Sequence, residues 1–137
     1  MTFKQMLLLY LVGLAIFVIV DMLWLGVVAK DFYRKHLGPM LGPKVNWLAA
    51  VLFYLLFVVG LIVFAVKPAL LRGRPIEAPF LGALLGLISY ATYDLSNLAT
   101  LKDWPPIVTV VDILWGTILG GSVSYVSALA GRDLLKL

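Results

Sequence analysis

Three aspartates stand in stretches of this chain that are otherwise hydrocarbon: Asp21 in VDMLWLG (20–26), Asp94 in TYDLSN (92–97) and Asp112 in VDILWG (111–116). Two of them share a phrase, with a tryptophan three residues later each time, Trp24 and Trp115. A carboxyl group in low-dielectric surroundings can share or pass a proton, neutralise a cation, or accept hydrogen bonds that fasten helices together. Unit charges about 5 Å apart repel by roughly 3 kcal/mol even at an effective dielectric of 20. Two such carboxyls in contact are therefore expected to share a proton or hold a cation, and to titrate as a coupled pair.

The elements that must position these acids follow from composition. The chain has 137 residues, 63% hydrophobic and 13% charged, with a mean hydropathy of +1.05, which reads as a membrane protein. Four apolar segments, at about 6–29, 46–66, 79–99 and 106–130, each approach the roughly 20 residues that cross a bilayer. None alternates as a barrel strand would, so the expected fold is all-α: one membrane domain over 1–137, a four-helix bundle of two antiparallel hairpins. A cleaved leader is weighed because Lys4 precedes the first run and VVA (27–29) has the look of a cleavage site. The run is too long for a signal core and contains Asp21 and Trp24, which favours a retained helix.

Charge adds little direction. The net charge of +4 comes from Lys and Arg in the short connections, which suits lipid headgroups and argues against a nucleic-acid partner. Lys4, Lys67, Arg72, Arg74, Arg132 and Lys136 fall on the side of the termini, and Lys30, Arg34, Lys35, Lys44 and Lys102 on the other. Six against five is nearly balanced. The expected location is a bacterial inner membrane with both termini cytoplasmic, and the balance is compatible with a homodimer of mixed orientation. With no cysteine, thiol nucleophiles, thiolate metal sites and disulfides are excluded. The single His36, in the basic YRKH, makes a histidine metal site or proton shuttle a poor fit.

The connections set the register. KDFYRKHLGPMLGPKVN (30–46) is long enough to form a structured cap, whereas TLKDWPP (100–106) makes a tight turn. Trp47 and Trp104 stand at segment ends, where headgroup anchors are expected. A turn centred near Asp103 places Asp94 and Asp112 level, each about nine residues and roughly 13 Å along its helix. Positions four apart share a stripe: Gly82, Gly86, Tyr90 and Asp94 on the third helix, and Asp112, Gly116, Gly120 and Ser124 on the fourth. Small residues let such helices approach closely, and the register pairs Gly82 with Ser124, Gly86 with Gly120, and Asp94 with Asp112.

Asp21 falls in the same half of the bilayer, level with Tyr54, and Asn97 follows Asp94 by one turn. The expected ligand-binding set is therefore Asp21, Asp94, Asp112, Trp24, Trp115, Tyr54, Tyr90 and Asn97, with Tyr93, Ser96, Thr92 and Thr109 as neighbouring hydroxyls. No metal ligand set is visible, and these residues name no cofactor. The competing reading is that the acids are only helix glue, bonded to Tyr, Trp or Ser.

DMLWLG, AKDFYRKHLG, FYLLFVVGLIVFAVKPAL, GLISYATYDLSNLATLKDW and VDILWG together resemble an uncharacterised family of small bacterial membrane proteins, predicted to have four helices and to form a domain of unknown function. The resemblance covers nearly the whole chain and implies an inner-membrane protein. It implies no reaction and no catalytic residue. The functional expectation is a buried Asp cluster that binds, and in one version transports, a cation, a proton-coupled solute or a lipid-like ligand. Small multidrug transporters share four short helices and a membrane carboxylate, although their motifs are absent. One alternative is a lipid-modifying enzyme using the Asp pair as acid and base. An aspartyl protease fits less well, because YD at 93–94 lacks its Gly-x-Gly-Asp counterpart. Another alternative is an accessory subunit whose glycine stripes meet partner helices.

Overall fold

The computed structural model describes residues 1–137, and every regular element is helical. Four helices are long and apolar enough to cross a membrane: Phe3–Val28, Trp47–Leu71, Glu77–Thr100 and Pro106–Asp133. At 1.5 Å per residue even the shortest reaches about 36 Å, beyond the ~30 Å hydrocarbon core.

The first span opens with a capping box, in which the Thr2 hydroxyl accepts from the Gln5 amide and the Gln5 side chain accepts from the Thr2 amide. Helix α1 (Phe3–Leu23) then passes into a π-helical turn, Trp24–Val28, closed by the Ala29 amide donating to the Trp24 carbonyl at 2.7 Å. Such a turn carries one surplus residue and is frequent near functional sites. Next come a short helix, α2 (Phe32–Leu37), and a 3-10 turn, Gly38–Met40.

The second span starts at Asn46, whose side chain accepts from the Ala49 amide, and comprises α3 (Trp47–Leu61), a π-helical turn (Ile62–Val66) and α4 (Lys67–Leu71). The apolar run alone bounds this span at about 46–66. In the structure the helix continues, since the π turn delivers Pro68 into the first turn of α4, where its missing amide and fixed φ are tolerated. The connection expected over 67–78 contracts accordingly to the few residues between Leu71 and Glu77.

Helices α5 (Glu77–Thr100) and α6 (Pro106–Asp133) are the third and fourth spans and make the most extensive interface in the molecule. A Cβ on Gly82 would overlap Ser124 and the Gly120 carbonyl, one on Gly86 the Gly116 carbonyl, and one on Gly120 the Gly82 carbonyl. Each glycine thus fits between two small residues of the facing helix, interleaved by half a turn relative to the one-to-one register read from sequence. The first span packs chiefly on the fourth, with Gly13 facing Ser127 and Leu9 facing Gly131, so the two run antiparallel. Phe17 meets Tyr54 and Phe57 of the second span edge-on, at centroid distances of 5.0 and 5.7 Å.

These contacts enclose a dry core, which includes Leu9, Phe17, Val58, Leu61, Val66, Leu119 and Val123 and occupies the half of the bundle nearer the termini. The other half is looser. The second and third spans pack closely around Ile62–Val66 and diverge toward Trp47. Over this end folds α2, where Leu37, Trp104 and Val108 form a small second cluster with Phe32 and Tyr33. Trp104 is therefore no headgroup anchor: it is 8% exposed and its indole donates to the Thr109 hydroxyl at 3.0 Å. The returning α2 covers it, a path that helical periodicity does not encode. Trp47 remains exposed at its helix end.

Candidate functional site

The two Asp-x-x-Trp phrases meet. Because the first and fourth spans are antiparallel, the aspartate of each phrase comes level with the tryptophan of the other. Trp24 and Trp115 stack with centroids 4.4 Å apart and planes inclined by 7°. The Trp115 indole donates to Asp21 at 3.2 Å, and the Tyr54 hydroxyl donates to the other Asp21 oxygen at 2.5 Å. Across the stack, the Trp24 indole donates to the Tyr33 hydroxyl at 3.1 Å, and Tyr33 donates to Asp112 at 2.8 Å. A continuous chain results: Tyr54, Asp21, Trp115, Trp24, Tyr33, Asp112. Burial, with Asp112 beside it, holds the Tyr33 phenol above its ordinary pKa, so this hydroxyl stays protonated and remains a donor.

Asp94 is different. It is 0% exposed, and neither carboxylate oxygen has a hydrogen-bond partner. The Asp112 carboxyl lies within hydrogen-bonding reach of it, so one proton held between the two would bridge them. The helices on either side are pinned locally: Thr109 accepts from Trp104 and donates at 3.4 Å to the backbone carbonyl of Asp94. The other buried side-chain oxygens without a partner are the hydroxyls of Ser124 and Ser127, which face Gly82 and Gly13 at close helix crossings. Isolated buried polar groups cost free energy, and an unpaired carboxylate costs far more than a hydroxyl.

No basic side chain forms a salt bridge with this pair. The salt bridges, Arg72 and Arg74 to Glu77 and Arg132 to Asp133, lie at the other end of the bundle, and Arg34 and Lys35 are exposed. No three His, Cys, Asp or Glu side chains converge as metal ligands would. The expected cluster of three acids is therefore a contacting pair, Asp94 and Asp112, plus Asp21 beyond the tryptophan stack.

Beside the pair lies a cavity of about 390 Å³ lined by Phe53, Tyr90, Tyr93 and Asp112, within the ~300–1,000 Å³ of small-molecule sites. It sits where the second and third spans diverge, and its outer walls Phe53 and Tyr93 are 42% and 57% exposed. Tyr90 rests on Gly116, whose missing side chain makes room for the ring, and packs edge-on against Phe57.

Of the expected residues, Asp21, Trp115 and Tyr54 form one hydrogen-bonded run and Trp24 and Asp112 join another through Tyr33, the two runs meeting at the tryptophan stack; Asp94 abuts Asp112, and Tyr90 lines the cavity. Asn97 does not join them: it is half-buried one turn beyond, within reach of the Tyr93 hydroxyl. Thr92 turns outward and bonds the Ile88 carbonyl, and Ser96 is exposed. Sequence reasoning missed Tyr33 and Phe53. For Tyr33 the available signal was a lone phenol in a connection long enough to fold back.

The sequence profile of the family described as "Predicted membrane protein (DUF2177)" matches residues 6–129. The chain belongs to this family. Its matched region takes in the second and third spans whole, most of the first and fourth, the α2 cap and every site residue named above. No curated protein and no solved structure is significantly similar to the chain.

Proposed function

We propose that this member of the DUF2177 family binds a small ligand at the Asp94–Asp112 pair, in a bacterial inner membrane with both termini cytoplasmic. The carrying observation is Asp94, a fully buried carboxyl with two unpartnered oxygens, beside Asp112, which lines a cavity. A purely structural aspartate is bonded by its neighbours, as Asp21 is by Tyr54 and Trp115. Asp94 instead keeps its hydrogen-bonding capacity free beside a second acid, which suits a group that arrives from outside or a proton that exchanges with it. Transport would follow if the pair alternately holds ligand and proton, since a single proton-binding site then couples the two.

Native mass spectrometry of the wild type beside Asp94→Asn and Asp112→Asn tests the reading. A co-purifying small molecule or lipid carried by the wild type and lost from both variants is expected. The same adduct on all three proteins, or on none, removes the proposal.

A further inference from the structure

We infer that the ligand is a monovalent organic ammonium ion, which enters sideways from the bilayer between the second and third spans. The inference rests on the binding role proposed above and adds the ligand's chemical class and its route.

Two independent features of the cavity point to this class. Its lining combines one carboxyl, Asp112, with three aromatic rings, Phe53, Tyr90 and Tyr93. Ring faces attract alkylammonium groups through their quadrupoles, most strongly where water is excluded, and they serve a soft organic cation better than a hydrated inorganic one. No three His, Cys, Asp or Glu side chains converge there as the charged ligands of a divalent metal would. The charge balance agrees. Two carboxyls sharing one proton would bear a single negative charge; the salt-bridged basic side chains lie at the other end of the bundle, and a monocation would complete the site without a further counter-ion. Asp94, buried and unpartnered behind Asp112, supplies the second carboxyl of that pair.

The route follows from the walls. Polar access from the aqueous face is covered by α2 and the Leu37–Trp104–Val108 cluster. Phe53 and Tyr93 are the exposed sides, and both belong to transmembrane helices at the point where these diverge. An amphiphilic ammonium compound, or the amine headgroup of a lipid, would reach Asp112 through that gap.

The test uses full-length protein in phosphatidylglycerol nanodiscs and measures saturable binding of benzyltrimethylammonium, of its uncharged isostere neopentylbenzene, and of potassium. Saturable binding of the ammonium compound alone is expected, abolished in Asp112→Asn and weakened about tenfold in Tyr93→Leu and Phe53→Leu. Asp112→Asn keeps an oxygen for Tyr33, and the near-ultraviolet dichroism of the Trp24–Trp115 stack verifies its fold. Adding phosphatidylethanolamine separates the two sources: competition identifies a headgroup amine, and no competition a free amphiphile. If neopentylbenzene binds equally well and Asp112→Asn weakens both, the binding role stands and the ammonium class is wrong. Equal binding of the ammonium compound to wild type and all three variants means lipid partitioning only and overturns the inference. No binding of either organic probe, together with no adduct lost in the Asp variants, overturns the binding role as well.

Discussion

At the scale of single residues, the three buried acids make different energetic demands. Asp21 is satisfied by two donors, so removing one exposes its worth: Trp115→Phe keeps an aromatic ring against Trp24 but deletes the indole donor. A loss of about 1–3 kcal/mol is expected from a buried carboxylate deprived of a partner, read as a lower unfolding midpoint in detergent. Asp94→Asn should act in the opposite sense. Its amide can donate to Asp112 without any shared proton, so the midpoint should hold or rise even where binding is lost, whereas Asp94→Leu leaves Asp112 with Tyr33 alone and gains nothing. Much of this was legible in the sequence, because a carboxylate in a hydrocarbon run and a repeated Asp-x-x-Trp phrase are local patterns. Tyr33 was not, since its role depends on where a 17-residue connection returns, and neither periodicity nor residue type encodes that return.

At the scale of elements, the glycine stripes decide how closely α5 and α6 approach. Gly86→Val would press a branched side chain into the Gly116 carbonyl. The helices must then separate, at a cost of about 1–3 kcal/mol for overpacking, and denaturant titration should show the destabilisation. Gly26→Val provides the control, because its added atoms meet open space. The stripe was readable from the four-residue spacing, although its half-turn interleaving was not, since spacing gives a face and only packing gives the phase. The π turns were equally hidden. Pro68 reads as a helix terminator in any local window, and only the surplus residue ahead of it lets the second span run on to Leu71.

At the scale of the molecule, four apolar runs in a short chain dictate four spans, and their number places both ends on one face. Which helices touch is a separate matter. The first and fourth spans are joined by the pair of tryptophans and by the crossing of Gly13 with Ser127, a long-range pairing that hydropathy does not reveal. The absence of native cysteine makes this directly testable. Gly13→Cys combined with Ser127→Cys should form a disulfide on mild oxidation, visible as a mobility shift, while Gly26→Cys with Ser127→Cys should not. Single cysteines introduced at positions 1 and 137 should react with an impermeant thiol reagent from the same face of the membrane. Labelling from opposite faces would contradict the even count of crossings. Two equal populations would instead indicate insertion in both orientations, as the six-to-five charge balance permits.

The gap between Phe53 and Tyr93 also determines how potency should be reckoned. A compound that arrives through the hydrocarbon is presented to the protein at its dissolved mole fraction in lipid, not at its molarity in buffer. Diluting the protein into more lipid should therefore raise the half-saturating total dose, and lengthening the compound's alkyl tail should bring that rise closer to direct proportion with the lipid added.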